Sequence, residues 1–202
     1  EFCKNIGLKV LMMEEDGERS RAHSLFPSVL KAQAEAIGLP LFTAATNWED
    51  YEKNFVKKLK EAKDLGAEVL VTGDIDVPEE ECWHERVTSS IGLGLGMPLW
   101  RKNHKEVVEE FVNLGFVTKI VTVNLIKGMK KEDLGRILTF DYIKELEERG
   151  IDPCGEAGEF HTTVIGGPLF KKELRVKHGE IISEGNYMYL TLELDDFKLA
   201  DE

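Results

Sequence analysis

Long apolar runs are missing from this 202-residue chain, and none approaches the roughly 18 residues a membrane-spanning helix needs. Cysteine is scarce. Cys3, Cys82 and Cys154 are odd in number and widely spaced, which excludes a disulfide framework and fits a reducing, cytoplasmic setting. Basic charge is in deficit, with 26 Lys and Arg against 38 Asp and Glu and a net charge of −12. A general grip on nucleic acid is thereby excluded, because phosphate binding wants clustered Lys and Arg. There is no repeat and no low-complexity linker. Hydrophobic residues at 42%, charged residues at 32% and a mean hydropathy of −0.26 exclude disorder and describe a soluble globular chain with neither membrane nor nucleic-acid partners. The length suits one large domain or two small ones.

Leu8 to Met13 is a short apolar run, which reads as a buried strand. Pro27 opens a helical pattern with Val29, Leu30, Gln33, Ala34 and Ile37 on one face, stopped by Gly38. Leu41–Ala44 reads as strand. Trp48, Tyr51, Phe55, Leu59 and Ala62 recur at helical spacing up to Gly66. Val69–Val71 reads as another buried strand, Pro78 as the start of a helix, and Pro98–Trp100 as a short strand. A helix with Val107, Val108, Phe111 and Leu114 on one side precedes a strand from Lys119 to Val123. This alternation predicts an α/β fold, a parallel sheet with helices on both faces, over residues 1–123. Residues 124–202 read as a smaller α+β domain. It has a helix from Phe140 to Arg149, strand-like tracts from Leu169 to Lys177 and from Tyr187 to Leu194, and a turn at His178-Gly179.

In open parallel sheets, ligands bind beyond the carboxyl ends of the strands, which directs attention to the loops after Met13, Ala44 and Val71. After Val71, Gly73 would let a ligand approach the backbone, and Asp74 or Asp76 could hold a ribose hydroxyl or a magnesium-bound water. Asp76 reads equally well as a helix N-cap two residues before Pro78. In the loop after Met13, Arg19 and Arg21 stand out in an acidic chain, beside His23, and arginine suits phosphate or carboxylate. A solvated loop is the plain alternative. The densest polar segment is Cys154-Gly155-Glu156-Ala157-Gly158-Glu159-Phe160-His161-Thr162-Thr163. If the chain is extended after Glu159, then Glu159 and His161 share a face, and the glycine turn brings Glu156 near. Such a group could orient a carboxylate, an amine or a metal-bound phosphate, or it could be no more than a polar turn. Gly92, Gly94 and Gly96 lack dinucleotide spacing and read as helix termination. A zinc site from Cys82, His84, Cys154 and His161, and a cysteine hydrolase built on Cys154 and His161, are weaker alternatives. Trp83 and Trp100 read as core or domain-contact residues.

Gly73-Asp74-Ile75-Asp76, Pro98-Leu99-Trp100, Leu134-Gly135-Arg136, the block from Cys154 to Thr162 and Gly167-Pro168-Leu169-Phe170 together resemble the diphthine–ammonia ligase family. That family lies within the adenine nucleotide alpha hydrolase, or N-type ATP pyrophosphatase, superfamily. The resemblance implies a nucleotide-binding parallel-sheet domain followed by a smaller domain carrying the Gly-Glu block. It also implies an ATP-dependent ligase that uses magnesium. A carboxylate is activated as an acyl-adenylate, pyrophosphate leaves, and ammonia or an amine forms the amide. On this reading Glu156, Glu159 and His161 are catalytic. Met12, Gly73, Asp74 and Asp76 line the nucleotide, Arg21, His23, Arg136 and Thr162 bind substrate, and no metal is held by the protein itself. The partners are a small-molecule or protein carboxylate and an amine, with a homodimer left open.

Two features depart from the family pattern. The pyrophosphate loop Ser-Gly-Gly-Lys-Asp-Ser, which should lie between a first strand and a first helix, is not in the sequence. We expect a shortened chain rather than a natural loss, with a strand, loop and helix of roughly 30 residues unaccounted for. The chain also opens Glu1-Phe2 without methionine or a signal-peptide pattern. The second departure is His161, where members acting on diphthamide precursors usually carry Glu. The Glu-Phe-His-Thr form resembles a bacterial branch associated with corrinoid salvage. An ATP-binding module without catalysis and an amide hydrolase are therefore the alternatives to the ligase.

Overall fold

The computed structural model describes residues 7, 9–21, 23–78 and 82–195; Cys3 and Leu8 lie outside the described residues. The apolar run after Leu8 forms strand β1 (Lys9–Met13), paired in parallel with β2 (Leu41–Ala45). Helix α1 (Pro27–Ile37) connects them. Proline at its first turn gives up an N–H that the helix could not have used, and Gly38 ends it at φ 75°, a left-handed conformation that glycine adopts without Cβ strain. Helix α2 (Tyr51–Asp64) buries Leu59 and Ala62, while Trp48 lies ahead of the helix and is 75% exposed.

Strand β3 (Val69–Val71) pairs in parallel with β4 (Gly94–Gly96). Two of the three glycines expected to terminate a helix are therefore strand residues, and only Gly92 caps helix α3 (Trp83–Ile91). Glycine suits β4 because a Cβ on Gly94 would come within 3.2 Å of the Val69 side chain. Pro98–Trp100 is a turn, and α3 begins at Trp83 rather than at Pro78, which removes the helix-cap role considered for Asp76.

β3 is not a buried strand. Val69 and Val71 are 49% and 37% exposed. Among the described residues, β1–β2 and β3–β4 form separate two-stranded sheets. Between β1 and β3 lies an open cleft of about 1220 Å³, lined by Val10, Leu11, Leu30, Phe55, Leu70 and Val71 among others. The sheet is thus only partly parallel. Helix α4 (His104–Asn113) leads into β5 (Val117–Asn124), which alternation alone assigned to the parallel sheet. It lies instead inside an antiparallel sheet of order β6 (Phe160–Gly166), β5, β8 (Tyr187–Leu194), β7 (Val176–Glu184). Helix α5 (Phe140–Glu148), whose first turn is capped by the Thr139 side chain, precedes β6. The β7–β8 turn is Gly185-Asn186, while His178-Gly179 lies within β7 beside a register irregularity.

Adjacent β5 residues feed two different cores. Ile120 and Val123 join Val108, Tyr142, Ile143, Leu146 and Phe160 beneath α4 and α5. Val121 joins Met13, Leu25, Val29, Leu30, Leu190 and Leu192 beneath α1. β5 is the element through which the sheet grips helices from both halves of the chain. No helix among the described residues is long and apolar enough to cross a membrane.

Candidate active site

The loop after β3 and the turn that opens the Gly-Glu block meet at His104. Its Nε2 lies 3.1 Å from Asp76 Oδ2, and its Nδ1 lies 2.9 Å from Asp152 Oδ2. Asp152 also accepts the backbone N–H groups of Cys154 at 3.0 Å and Glu156 at 3.1 Å, which shapes the turn. Glu156 reaches back across it. Its Oε1 accepts the backbone N–H of Ile75 at 2.9 Å and that of Asp76 at 3.3 Å. Partial burial opposes charge on His104, but the two carboxylates prevail and hold its pKa above the ordinary histidine value. Cys154 donates from Sγ to the His104 carbonyl oxygen at 3.0 Å. Burial, then the charges of Asp152 and Glu156, push its thiol up to about 12. A thiolate nucleophile is not sustained there, which counts against a cysteine hydrolase.

Further along the block, β6 places Phe160 opposite Val123 and His161 opposite Thr122. Phe160 enters the core, so His161 turns to the opposite face. There its ring packs against His23 from the loop after β1, with centroids 5.1 Å apart. Both rings are held neutral. Burial, then His161 and Lys9, lower His23 to about 4, and burial lowers His161. Buried Gln33 of α1 fixes this corner. It accepts from Lys9 Nζ at 3.2 Å and donates to Thr163 Oγ1 and the Val164 carbonyl, each at 2.7 Å. Lys9, itself lowered by burial, lines the cleft with His23, Gln33 and Thr162.

The other sequence-predicted residues have definite places. Met12 is buried, and its carbonyl accepts the Arg21 backbone N–H at 3.4 Å. Arg21 binds the Thr46 carbonyl, lies 3.6 Å from Glu14 and stacks 4.3 Å over Trp48, joining the loops after β1 and β2. Asp74 lies 3.7 Å from His84 Nδ1. Gly73 has open space where a Cβ would stand. Arg136 sits on the α5 side, bidentate on Glu145 at 2.7 Å for each bond and 3.7 Å over the Tyr142 ring. The structure therefore brings Glu156 to Asp76 and His161 to His23, and it gives Arg136 other neighbours.

Sequence reasoning missed His104 and Asn124. His104 is an isolated histidine in a helical pattern, and only its place one residue after the Asn103 cap hinted at a fixed orientation. Asn124 is a polar residue closing an apolar strand, which was the available signal.

Buried polar atoms without partners among the described residues include Arg21 Nε in the loop after β1 and Thr72 Oγ1 just after β3. Buried polar groups without a protein partner are uncommon and single these two loops out. Among the described residues, no group of three or more His, Cys, Asp or Glu is placed to hold one.

Comparison with known proteins places the chain in a family. The profile of the diphthamide synthase N-terminal domain matches residues 3–95, and that of the diphthamide synthase C-terminal domain matches residues 103–195. The diphthine–ammonia ligase of Schizosaccharomyces pombe is 28% identical over 93% of this chain and 36% of its own length. That of Bos taurus is 24% identical over 74% of this chain and 62% of its own length, and that of Homo sapiens 29% over 48% and 38%. The chain spans less than two thirds of the length of these relatives. With the two domain profiles falling in order on its two halves, the chain belongs to the diphthamide synthase family.

Proposed function

We propose that this protein is an ATP-dependent amide ligase of the diphthine–ammonia ligase kind, joining ammonia or an amine to a carboxylic acid. The observation that carries the reading is the junction of the loop after β3 with the Gly-Glu block, made by Glu156 on the Ile75 and Asp76 amides and by His104 between Asp76 and Asp152. It couples a strand-end loop of the kind that binds nucleotides to the densest group of acid-base side chains in the chain.

Bound ATP supplies the adenylyl group that activates the acid as an acyl-adenylate, with pyrophosphate leaving and magnesium on the phosphates offsetting their charge. The chain's own residues bind and orient. The open backbone at Gly73, with Asp74 and Asp76, lines the nucleotide, and the Met12 backbone borders it from β1. Arg21 offers its unpaired Nε–H to an anion. His23 and Thr162 face the acid from the cleft, with His161 packed behind His23. His161, whose pKa burial lowers, can accept a proton from the incoming amine at a ring nitrogen, and Glu159 orients that amine. Because Asp74 and Asp76 already face His84 and His104, we assign no metal to the protein itself.

The test is product analysis with the protein in a form that carries the pyrophosphate loop, together with ATP, magnesium, ammonium and a diphthine-bearing protein. AMP and pyrophosphate in equal amounts with the amide are expected. ADP and phosphate, or amide cleavage without ATP, would reject the ligase reading.

A further inference from the structure

At the end of β5, two buried acceptors have no donor. Asn124 is 3% exposed. Its backbone N–H goes to the Glu159 carbonyl at 2.8 Å, and its side-chain Nδ2 donates to the Gly158 carbonyl at 3.1 Å. That leaves Oδ1 buried without a hydrogen bond to any described residue. Glu159 is 9% exposed, and its Oε2 is also buried without one.

The strand register puts these two residues opposite one another. Val123 opposes Phe160, so Asn124 opposes Glu159, and Tyr187 of β8 opposes Asn124 from the other side. Directly opposed residues share a face, with Cβ atoms about 4.5–5.5 Å apart. The preceding row, Phe160, Val123 and Met188, packs into the hydrophobic core. The row Glu159, Asn124, Tyr187 therefore lies on the opposite face, as does the adjoining row His161, Thr122, Tyr189. The Tyr187 and Tyr189 rings stack with centroids 6.2 Å apart.

A buried acceptor left without a donor costs about 1–3 kcal/mol, and more when it is charged. Two on opposed residues, one of them a glutamate, call for a ligand rich in donors and positive in charge. A hard divalent cation wants six or more oxygen ligands. An ammonium group matches better, since its N–H donors satisfy the two oxygens and its charge suits the face of an adjacent aromatic ring.

We propose that Glu159 and Asn124, flanked by Tyr187, form the seat of an ammonium ion or primary ammonium group, the amine donor of the ligase. The purpose of the seat rests on the ligase reading, while its existence does not. His161 in the next row is kept neutral by burial and so does not repel the cation.

The test uses melting of the intact chain in matched concentrations of ammonium, potassium and sodium chloride. Ammonium is expected to raise the melting temperature above the other two salts. Asn124→Leu should move the ammonium concentration for half the rise up by about tenfold or more, the equivalent of 1.4 kcal/mol. Glu159→Gln should abolish the ammonium-specific rise, and Asn124→Asp, which restores an acceptor with added charge, should keep it. If Glu159→Gln fails to fold, the Asn124→Leu and Asn124→Asp pair decides the matter. Equal melting in the three salts overturns the proposal, as does a rise of the same size in potassium or an undiminished ammonium rise in Asn124→Leu. Pyrophosphate release is followed separately, so a failed ligase reading shows there while the ammonium seat is judged on melting alone.

Discussion

Glu156 accepts the backbone N–H of Ile75 at 2.9 Å across 81 residues of sequence. The bond ties the loop after β3 to the Gly-Glu block, and the same oxygen also receives the Asp76 N–H. Glu156 is exposed, so water competes for these bonds and their worth is small. Glu156→Ala should therefore lower unfolding stability by no more than about 1 kcal/mol. Its effect on turnover should be larger, about tenfold or more, because the loop loses its anchor at the site. Denaturant midpoints beside initial rates check this, and a stability loss that accounts for the whole drop in rate would reject a positioning role.

The histidines make stability depend on pH in opposite senses. His104, raised by Asp76 and Asp152 against the pull of burial, contributes stability that is fully present below the ordinary value of 6.5 and is lost as pH rises through its folded pKa. His23, lowered to about 4, does the reverse. The unfolded chain binds the proton first, so stability is present above 6.5 and is lost as pH falls from 6.5 towards 4. His104→Gln should flatten the loss on the alkaline side, and His23→Gln the loss on the acid side. Urea midpoints measured from pH 4 to pH 8 read both, and unchanged slopes would reject the assignment.

Local pattern made most helices legible, because α1, α2, α4 and α5 each show helical spacing with a stop or cap, such as Gly38 or Thr139. The strands were harder. β5 has the apolar run of a buried strand, but buried strands read alike whether parallel or antiparallel. Its partners lie near residues 160 and 188, beyond any local window. β4 was invisible because Gly94 and Gly96 carry no β-propensity, and at Gly94 the Val69 side chain leaves little room for a Cβ. At the site, the extended chain after Glu159 put His161 and Glu159 on one face by alternation alone. The burial of Glu159 was not legible, since its cross-strand neighbour is Asn124, 35 positions earlier, and neither was the clamp on His104, whose carboxylates come from positions 76 and 152.

Two glycines of the block differ in what they tolerate. Gly155 has φ 68°, and a Cβ there would stand 2.8 Å from the Phe160 carbonyl oxygen. Gly158 has φ 83° with open space around it. Gly158→Ala should cost about 1–2 kcal/mol, the left-handed strain alone. Gly155→Ala adds a backbone clash and should cost clearly more. Thermal melting of the two variants tests the difference, and equal losses would mean that the turn relaxes away from Phe160.

Cys154 should behave as an inert thiol. Its Sγ is bonded to the His104 carbonyl, and its pKa is pushed up to about 12. At pH 7.5 iodoacetamide should modify it far more slowly than an unstructured thiol with a pKa near 8.5, and Cys154→Ala should retain turnover. Peptide mapping after timed alkylation, beside rates for the variant, gives the answer. Rapid labelling together with loss of activity in Cys154→Ala would bring back the cysteine hydrolase.

Gly73 offers the cleanest separation of fold from ligand. Its φ is not in the left-handed range, and a Cβ there would meet no described residue within 4 Å, so none of the described residues requires glycine there. Substitutions at such positions usually change stability by no more than about 0.5 kcal/mol. If the backbone at Gly73 borders the nucleotide, a methyl group would stand in the ligand's path. Gly73→Ala should then leave the melting temperature nearly unchanged while raising the KM for ATP about tenfold, and Gly73→Val should raise it further. The KM for ammonium should move much less, because the proposed amine seat is built at the end of β5 and just ahead of β6 rather than on this loop. An unchanged KM for ATP in both variants would remove Gly73 from the nucleotide site, whatever the melting curves show.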